Sequence, residues 1–134
     1  MARRLKKRGN AGFTLLEMII VMIIMGILLS IALPIYNQSL VKARESVLKN
    51  DLFELRKLIT QYTLDKQKAP QALEDLVSAG YIKAIPKDPM TGEANWEPHQ
   101  EDTLLSVDQQ DPGIDDVHSA SSLTGSDGTA YSSW

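Results

Sequence analysis

Residues 12–36 read G-F-T-L-L-E-M-I-I-V-M-I-I-M-G-I-L-L-S-I-A-L-P-I-Y. No charged residue lies between Met18 and Ile35, and Glu17 is the one charge inside the apolar block. A helix needs about 20 apolar residues to cross a bilayer, at roughly 1.5 Å of rise for each residue. The block therefore predicts a membrane-spanning helix, and the acid within it needs its own explanation.

The residues before the apolar block are basic. Residues 1–12 hold five cations and no anion. Because the cytoplasmic flanks of membrane helices are rich in Lys and Arg, the N-terminus is predicted to stay in the cytoplasm. A secretory signal peptide fits poorly, since its apolar region is about 7–15 residues long and residues 34–38 match its cleavage site poorly. A plain membrane anchor explains the length and the cations, but it does not explain Glu17.

The junction at residues 7–17, K-R-G-N-A-G followed by F-T-L-L-E, resembles the N-terminal signature of type IV pilins and of the pseudopilins of type II secretion. It combines a basic leader, a Gly-Phe junction, and an acid at a fixed offset before an unbroken apolar run. In that family a prepilin peptidase cuts after the glycine and methylates the new N-terminal phenylalanine. The resemblance implies a leader of residues 1–12, a cut between Gly12 and Phe13, and N-methylation of Phe13.

Glu17 carries a hypothesis about subunit assembly. An ionised carboxylate in hydrocarbon is costly unless it is paired. A cut after Gly12 creates a free amine four residues before Glu17, and the amine of a neighbouring subunit would be a partner whose attraction grows in the low dielectric of the membrane. We expect Glu17 to register each incoming subunit in this way. The alternative is that its side chain snorkels to the cytoplasmic interface, about one helical turn away.

A second apolar pattern follows the membrane segment. Apolar residues recur at spacings of three and four within residues 37–65, which predicts the amphipathic half of one long helix whose first half is residues 13–36. We expect this stripe to pack under a small C-terminal domain, with Glu45 among the polar residues on the other faces. The stripe comprises Val41, Leu48, Leu52, Leu55, Ile59 and Tyr62.

Two residues are weak points of the long helix. Pro34 lacks an N–H and its ring crowds the carbonyl of Ser30, so a kink or a locally opened backbone is expected there. Gly26 lies about two turns earlier. The resemblance implies that the segment from Gly26 to Pro34 can lose helicity in a filament, and an ordinary proline-kinked membrane helix is the alternative.

Residues 66–134 predict the small α+β domain. Residues 71–79 predict a short helix with Pro70 in its first turn and Gly80 as its stop. A P-K-D-P turn follows at residues 86–89. The Leu-rich short helix, the Gly-Tyr pair after it and this turn resemble the major pseudopilin of type II secretion more closely than adhesive pilins.

Three short extended runs predict a small antiparallel sheet. They are residues 95–97, 103–107 and 114–118. Each strand alone would be marginal, so the sheet must pack on the helix. The predicted fold class is α+β, with a long N-terminal helix that carries a short helix and the sheet, as in pilins. The expected apolar contributors from the sheet are Trp96, Leu104, Val107, Ile114 and Val117.

The charge is segregated along the chain. The formal net charge is −3, but residues 66–134 carry four cations against twelve anions. An acidic domain argues against binding to a phosphate backbone, so nucleic acid is not an expected ligand. The absence of cysteine excludes the C-terminal disulfide of many type IV major pilins and fits a major pseudopilin better.

The C-terminal loop raises the question of calcium. Residues 119–134 are rich in Ser, Gly and Asp, and the resemblance implies calcium in this region, because type II major pseudopilins commonly hold one. The loop lacks a recognisable ligand spacing, however, and no metal ligand is assigned. The alternative is a solvated loop closed by Tyr131 and Trp134. The hard oxygen donors suited to calcium are Asp111, Asp115, Asp116 and Asp127.

Catalysis finds no support in the sequence. His99 and His118 lie in unrelated contexts without metal spacing or a nucleophile motif. Ser119 is adjacent to His118 but adjacent strand residues face opposite sides, so the two do not form a triad. No catalytic residue is assigned, and the chain is not expected to be an enzyme.

The resemblance implies a structural subunit, the major pseudopilin, of a helical pseudopilus. The precursor would sit in the inner membrane as a single-pass protein with its C-terminal domain in the periplasm. Its expected partners are further copies of itself, minor pseudopilins, the prepilin peptidase, an inner-membrane platform protein and a cytoplasmic assembly ATPase. Growth of the filament would export folded proteins across the outer membrane.

Three alternatives stay open. A type IV pilus subunit for adhesion, motility or DNA uptake would share the first half of the chain, and deletion would then abolish surface filaments with secretion intact. A minor pseudopilin at the filament tip is the second. The third is a membrane-anchored periplasmic enzyme or binding domain, which would keep its activity without peptidase processing.

Overall fold

The computed structural model describes residue 12, residues 14–101 and residues 112–134. The chain divides into two compact units, Met1–Gln38 and Ser39–Trp134. The fold class is α+β, as predicted. Its elements are helix α1 (Leu15–Lys66), helix α2 (Glu74–Ser78), strand β1 (Glu97–Gln100), strand β2 (Ile114–His118) and a 3₁₀ turn (Tyr131–Ser133).

The described part of the N-terminal unit is Gly12, Thr14 and the first part of α1. The Thr14 hydroxyl accepts a hydrogen bond from the backbone N–H of Glu17 at 3.2 Å, and the Thr14 carbonyl accepts from Met18 at 3.1 Å. Thr14 is therefore the N-cap of α1, in the T-x-x-E spacing of a capping box. The helix is long and apolar enough to cross a membrane, and none of its most apolar stretch is buried within the chain.

Gly26 and Pro34 both lie inside α1, which continues through them as a helix. Because Pro34 has no N–H, the Ser30 carbonyl cannot receive the usual helical bond from it. The Ser30 hydroxyl donates to the carbonyl of Ile27 at 2.7 Å. In the single chain, the backbone stays helical at Gly26 and Pro34. Loss of helicity in the assembled filament stays a prediction.

The C-terminal unit packs on the second part of α1. The spacing of three and four predicted the buried face well, with two exceptions. Val41 is exposed, because the globular unit first covers α1 at Glu45, and Glu45 itself is buried rather than on a polar face. The helix contributes Glu45, Leu48, Leu52, Leu55, Ile59 and Tyr62, and the remaining core residues are Leu73, Leu76, Trp96, Ile114, Val117 and Tyr131.

Helix α2 begins at Glu74, three residues later than predicted. The carboxylate of Asp75 accepts the backbone N–H groups of Gln71 at 2.8 Å and of Ala72 at 3.2 Å. These amides are satisfied by a side chain, so the preceding residues stay outside the helix. The placement of Pro70 in the first turn was wrong for the same reason.

The end of α2 was predicted correctly. Gly80 has a φ of 82°, and its N–H donates to the carbonyl of Val77 at 3.1 Å. The N–H of Tyr81 donates to the carbonyl of Leu76 at 3.0 Å. This pair of bonds is a Schellman motif, which needs a left-handed residue and therefore favours glycine.

The sheet of the described residues has two antiparallel strands, with Glu97 opposite His118 and an irregularity between His99 and Gln100. Strand β2 has the predicted bounds. The predicted strand at residues 103–107, with Leu104 and Val107, lies outside the described residues.

The first strand was predicted too early. β1 begins at Glu97, whereas the prediction was residues 95–97. The hydroxyl of Thr91 donates to the side-chain oxygen of Asn95 at 2.6 Å, and the indole N–H of Trp96 donates to the carbonyl of Pro86 at 2.7 Å. These contacts hold Asn95 and Trp96 in the loop that precedes β1. Trp96, Ile114 and Val117 nevertheless enter the core, as expected.

Candidate processing site and loop-anchoring site

The candidate processing site precedes α1. Gly12 is exposed and outside the helix, while Phe13 lies outside the described residues. An accessible, non-helical backbone is what a peptidase requires. Cleavage between Gly12 and Phe13 and methylation of Phe13 stay predictions.

Glu17 lies in the first turn of α1 and is exposed. A negative charge there is favoured by the helix dipole, which gives Glu17 a local structural role beside the predicted one. Among the described residues its carboxylate has no side-chain partner. The carboxylate is thus accessible to a group from another molecule, and its role in assembly stays a prediction.

Glu45 has a role that was not predicted from the sequence. This residue is 6% exposed, and its carboxylate accepts three hydrogen bonds. One oxygen accepts the N–H of Ser126 at 2.7 Å and the hydroxyl of Tyr131 at 2.8 Å, and the other accepts the hydroxyl of Ser126 at 2.6 Å. The signal was present in the sequence, because Glu45 lies three residues before Leu48 and continues the buried stripe.

These hydrogen bonds favour the ionised form of Glu45. The bonds from Ser126 hold the pKa of Glu45 below its ordinary value, against the opposing effect of burial. The pKa of Tyr131 is raised, first by burial and then by its hydrogen bond to Glu45. A carboxylate and a neutral phenol are therefore the stable pair.

Two aromatic residues pack against each other at the end of the C-terminal loop. Tyr131 and Trp134 pack edge to face with ring centroids 4.9 Å apart, and the ammonium of Lys49 lies 4.7 Å from the Trp134 ring. Gly125 leaves room for the indole, since a Cβ there would lie 2.6 Å from a ring carbon of Trp134.

Arg56 joins α1 to β2 and to the end of the loop. Its Nε donates to Asp116 at 2.5 Å, and its Nη2 donates to the carbonyls of Val117 at 3.0 Å and Trp134 at 2.7 Å. Burial raises the pKa of Asp116, but the Val117 N–H and the Arg56 guanidinium outweigh it and lower the pKa overall. Arg56 therefore fixes the sheet and the loop to the same helix.

The described aspartates of the proposed calcium set have separate partners. Asp115 lies 2.6 Å from His99 Nδ1, Asp116 pairs with Arg56, and Asp127 accepts both the N–H and the hydroxyl of Thr129. In the part of the chain that the structure describes, no group of three or more His, Asp or Glu residues could hold a metal ion. Asp111 lies outside that part. The described carboxylates therefore do not converge on one common position for a calcium ion, and calcium binding stays a prediction.

His118 and Ser119 also have different partners. Nδ1 of His118 lies 2.8 Å from the carbonyl of Trp134, while the buried hydroxyl of Ser119 donates to Asp88 at 2.5 Å. Asp88 is itself fully buried and accepts the N–H of Met90 at 2.8 Å. The Ser119 hydroxyl thus joins two loops and does not contact His118.

Comparison with known proteins identifies the family. Residues 7–33 match the family described as the prokaryotic N-terminal methylation motif. The chain is 34% identical over 101 residues to the type II secretion system core protein G of Aeromonas hydrophila, covering 63% of this chain and 71% of that protein. The chain belongs to the core protein G family.

Two further core protein G sequences support this assignment. The one from Klebsiella michiganensis is 30% identical over 132 residues, covering 84% of this chain and 93% of that protein. The one from Vibrio cholerae is 36% identical over 99 residues, covering 63% of this chain and 68% of that protein. No solved structure matches the chain. Membership in the core protein G family, together with the apolar helix near the N-terminus, fits a membrane-anchored single-pass protein.

Proposed function

We propose that this protein is the major pseudopilin of a type II secretion system, the structural subunit of a helical pseudopilus that exports folded proteins across the outer membrane. The observation that carries the proposal is the extent of the likeness to core protein G. Type IV pilins share the N-terminal motif, which occupies residues 7–33 here. The alignment with the Klebsiella michiganensis protein covers 84% of this chain and therefore includes most of the globular unit.

The N-terminus would be processed before assembly. The prepilin peptidase hydrolyses the bond between Gly12 and Phe13 and methylates the new amine of Phe13. The cations of residues 1–12 keep this end in the cytoplasm, so the globular unit lies in the periplasm. In the filament, Glu17 of one subunit pairs with the amine of another. Minor pseudopilins, a platform protein and a cytoplasmic ATPase are the proposed partners.

The surface of the globular unit supports assembly. Phe53 is 64% exposed and Leu64 is 67% exposed. They are eleven residues apart on α1, about three turns, and so lie on one face. Large exposed apolar side chains on one surface are typical of contact sites, and neighbouring subunits of the filament would cover these two.

The decisive experiment is the intact mass and N-terminal sequence of the protein from host membranes, with and without the prepilin peptidase. We expect a mature chain that starts at Phe13 and carries one extra methyl group, and we expect the full precursor without the peptidase. An uncut chain in the presence of the peptidase would contradict the proposal.

Deletion of the gene then separates the two filament types, because loss of secretion indicates a pseudopilus and loss of surface filaments with normal secretion indicates a type IV pilus.

A substitution at Phe53 tests the exposed contact face. Phe53→Ser should lower the amount of filament recovered when the subunit is overproduced, while urea unfolding of the detergent-solubilised chain stays nearly unchanged, because the side chain is exposed. Glu54→Gln, an exposed polar position about 100° around the same helix from Phe53, is the control. Normal filament yield from Phe53→Ser would exclude this face from the contact.

A further inference from the structure

The C-terminal loop, residues 123–134, has its own backbone framework. Thr124 and Ala130 form an antiparallel bridge, and the N–H of Gly125 donates to the carbonyl of Thr129 at 2.7 Å. The N–H of Tyr131 donates to the carbonyl of Leu123 at 2.9 Å. The loop is thus a small closed hairpin, and its attachment to α1 is a separate question.

The loop presents donors to α1. The N–H and the hydroxyl of Ser126 and the hydroxyl of Tyr131 converge on one carboxylate, that of Glu45. Three convergent donors form a receptor for an anion, and a cation could not replace the carboxylate at this position. Both oxygens of Glu45 are occupied by these donors. The charge of Asp127, in the same loop, is engaged by Thr129.

Two further contacts hold the end of the loop against the same helix. Lys49 lies over the Trp134 ring, and Arg56 donates to the carbonyl of Trp134. Glu45, Lys49 and Arg56 are spaced four and seven residues apart on α1, about one and two turns. One strip of the helix therefore supplies every polar contact described above between α1 and the loop.

We propose that Glu45 is the positioning residue of the C-terminal loop, and that residues 123–134 close on its carboxylate without a calcium ion. If the loop offered acceptors, a bound cation would hold it. Here the loop offers donors, and the Glu45 carboxylate holds them. Charge-assisted hydrogen bonds inside the protein are stronger than neutral ones, and three of them at a nearly buried site attach the loop firmly.

The test is amide hydrogen exchange of the full chain in detergent, measured by mass spectrometry in calcium and in chelator. In the wild type, the protection of residues 123–134 should be equal in both solutions. In Glu45→Gln that protection should fall roughly tenfold or more, because the amide carries no charge and turns an N–H₂ group toward donors. The α1 segment with Leu48, Leu52 and Leu55 should keep its protection, which shows that the unit remains folded.

Glu54→Gln is the matched control, since Glu54 is exposed on the same helix. It should leave the loop unchanged. If Glu45→Gln does not fold, Tyr131→Phe and Ser126→Ala each remove one hydroxyl donor while Glu45 stays, and each should loosen residues 123–134 alone. The inference is overturned if chelator lowers the protection of the wild-type loop, or if these substitutions leave it unchanged. Neither result bears on the proposed filament function.

Discussion

Single side chains connect the parts of the globular unit. Arg56 binds a carboxylate of β2 and two backbone carbonyls, one of which belongs to Trp134. A planar guanidinium can serve three acceptors in this way, whereas an ammonium cannot match the same directions. The carboxylate of Glu45, also on α1, accepts hydrogen bonds from the C-terminal loop in a similar way.

We expect Arg56→Lys to lower the free energy of unfolding by about 1–2 kcal/mol. The substitution keeps the charge but loses the fork that reaches both carbonyls, and partial solvent exposure limits the effect. Urea unfolding of the full chain in detergent measures it, with Lys57→Arg as the control on an exposed neighbour. A wild-type midpoint for Arg56→Lys would mean that these hydrogen bonds add nothing to stability.

The loop should depend on pH through Glu45. Its folded pKa lies below the ordinary value of 4.5, so its contribution to stability is present above about pH 4.5 and is lost as the pH falls through the folded pKa. Tyr131 stays neutral in this range, while Asp127 opposes the ionisation of Glu45 and its own pKa is lowered mainly by Thr129. The protection factors of residues 123–134, corrected for the slower intrinsic amide exchange at low pH, should therefore fall on acidification, and Glu45→Gln should show a flatter pH profile than the wild type.

At the scale of elements, local chemistry decides where most helices begin and end. Thr14 caps the start of α1, and Gly80 ends α2 with a left-handed conformation. A Cβ at Gly80 would contact nothing within 4 Å, so its requirement for glycine is conformational and not steric crowding by neighbours.

Gly80→Ala should therefore destabilise the unit by about 1 kcal/mol, the usual cost of a left-handed alanine. Gly80→Asn should cost less, because asparagine tolerates this conformation. Thermal unfolding of both variants, compared with the wild type, checks the order. Equal losses for alanine and asparagine would point to a cause other than backbone conformation.

At the scale of the whole molecule, the two units differ in how far their apolar residues are buried. The large apolar residues of α1 up to Tyr36 are exposed in the single chain, whereas the globular unit has its own core. A bilayer would cover these exposed apolar residues before assembly, and other subunits would cover them afterwards. Glu17 lies in the segment that must make this transfer.

We predict that Glu17→Gln leaves insertion and peptidase cleavage intact but reduces filament assembly at least tenfold, because a neutral amide loses the attraction to the N-terminal amine of a neighbour. Intact mass checks the cleavage, and sedimentation of sheared filaments measures assembly. Glu54→Gln, outside the membrane segment, should assemble normally. Efficient assembly of Glu17→Gln would leave the favourable interaction of its charge with the N-terminus of α1 as the explanation for this acid.

The sequence by itself determined the features that depend on neighbours along the chain. Apolar length and basic flanks predicted the membrane helix, a spacing of three and four predicted the buried face of α1, and local turn chemistry predicted the end of α2 at Gly80. These signals are readable because each rests on residues within a few turns of one another.

Only the tertiary structure decided the contacts between distant residues. Glu45 and Ser126 are 81 positions apart, and Arg56 and Asp116 are 60 apart. A carboxylate is tolerated in a buried position only when hydrogen-bond donors satisfy it. Because the donors to Glu45 are distant in sequence, the sequence alone predicted a solvated residue. The late start of β1 has the same origin, since Trp96 is held by the Pro86 carbonyl ten residues away.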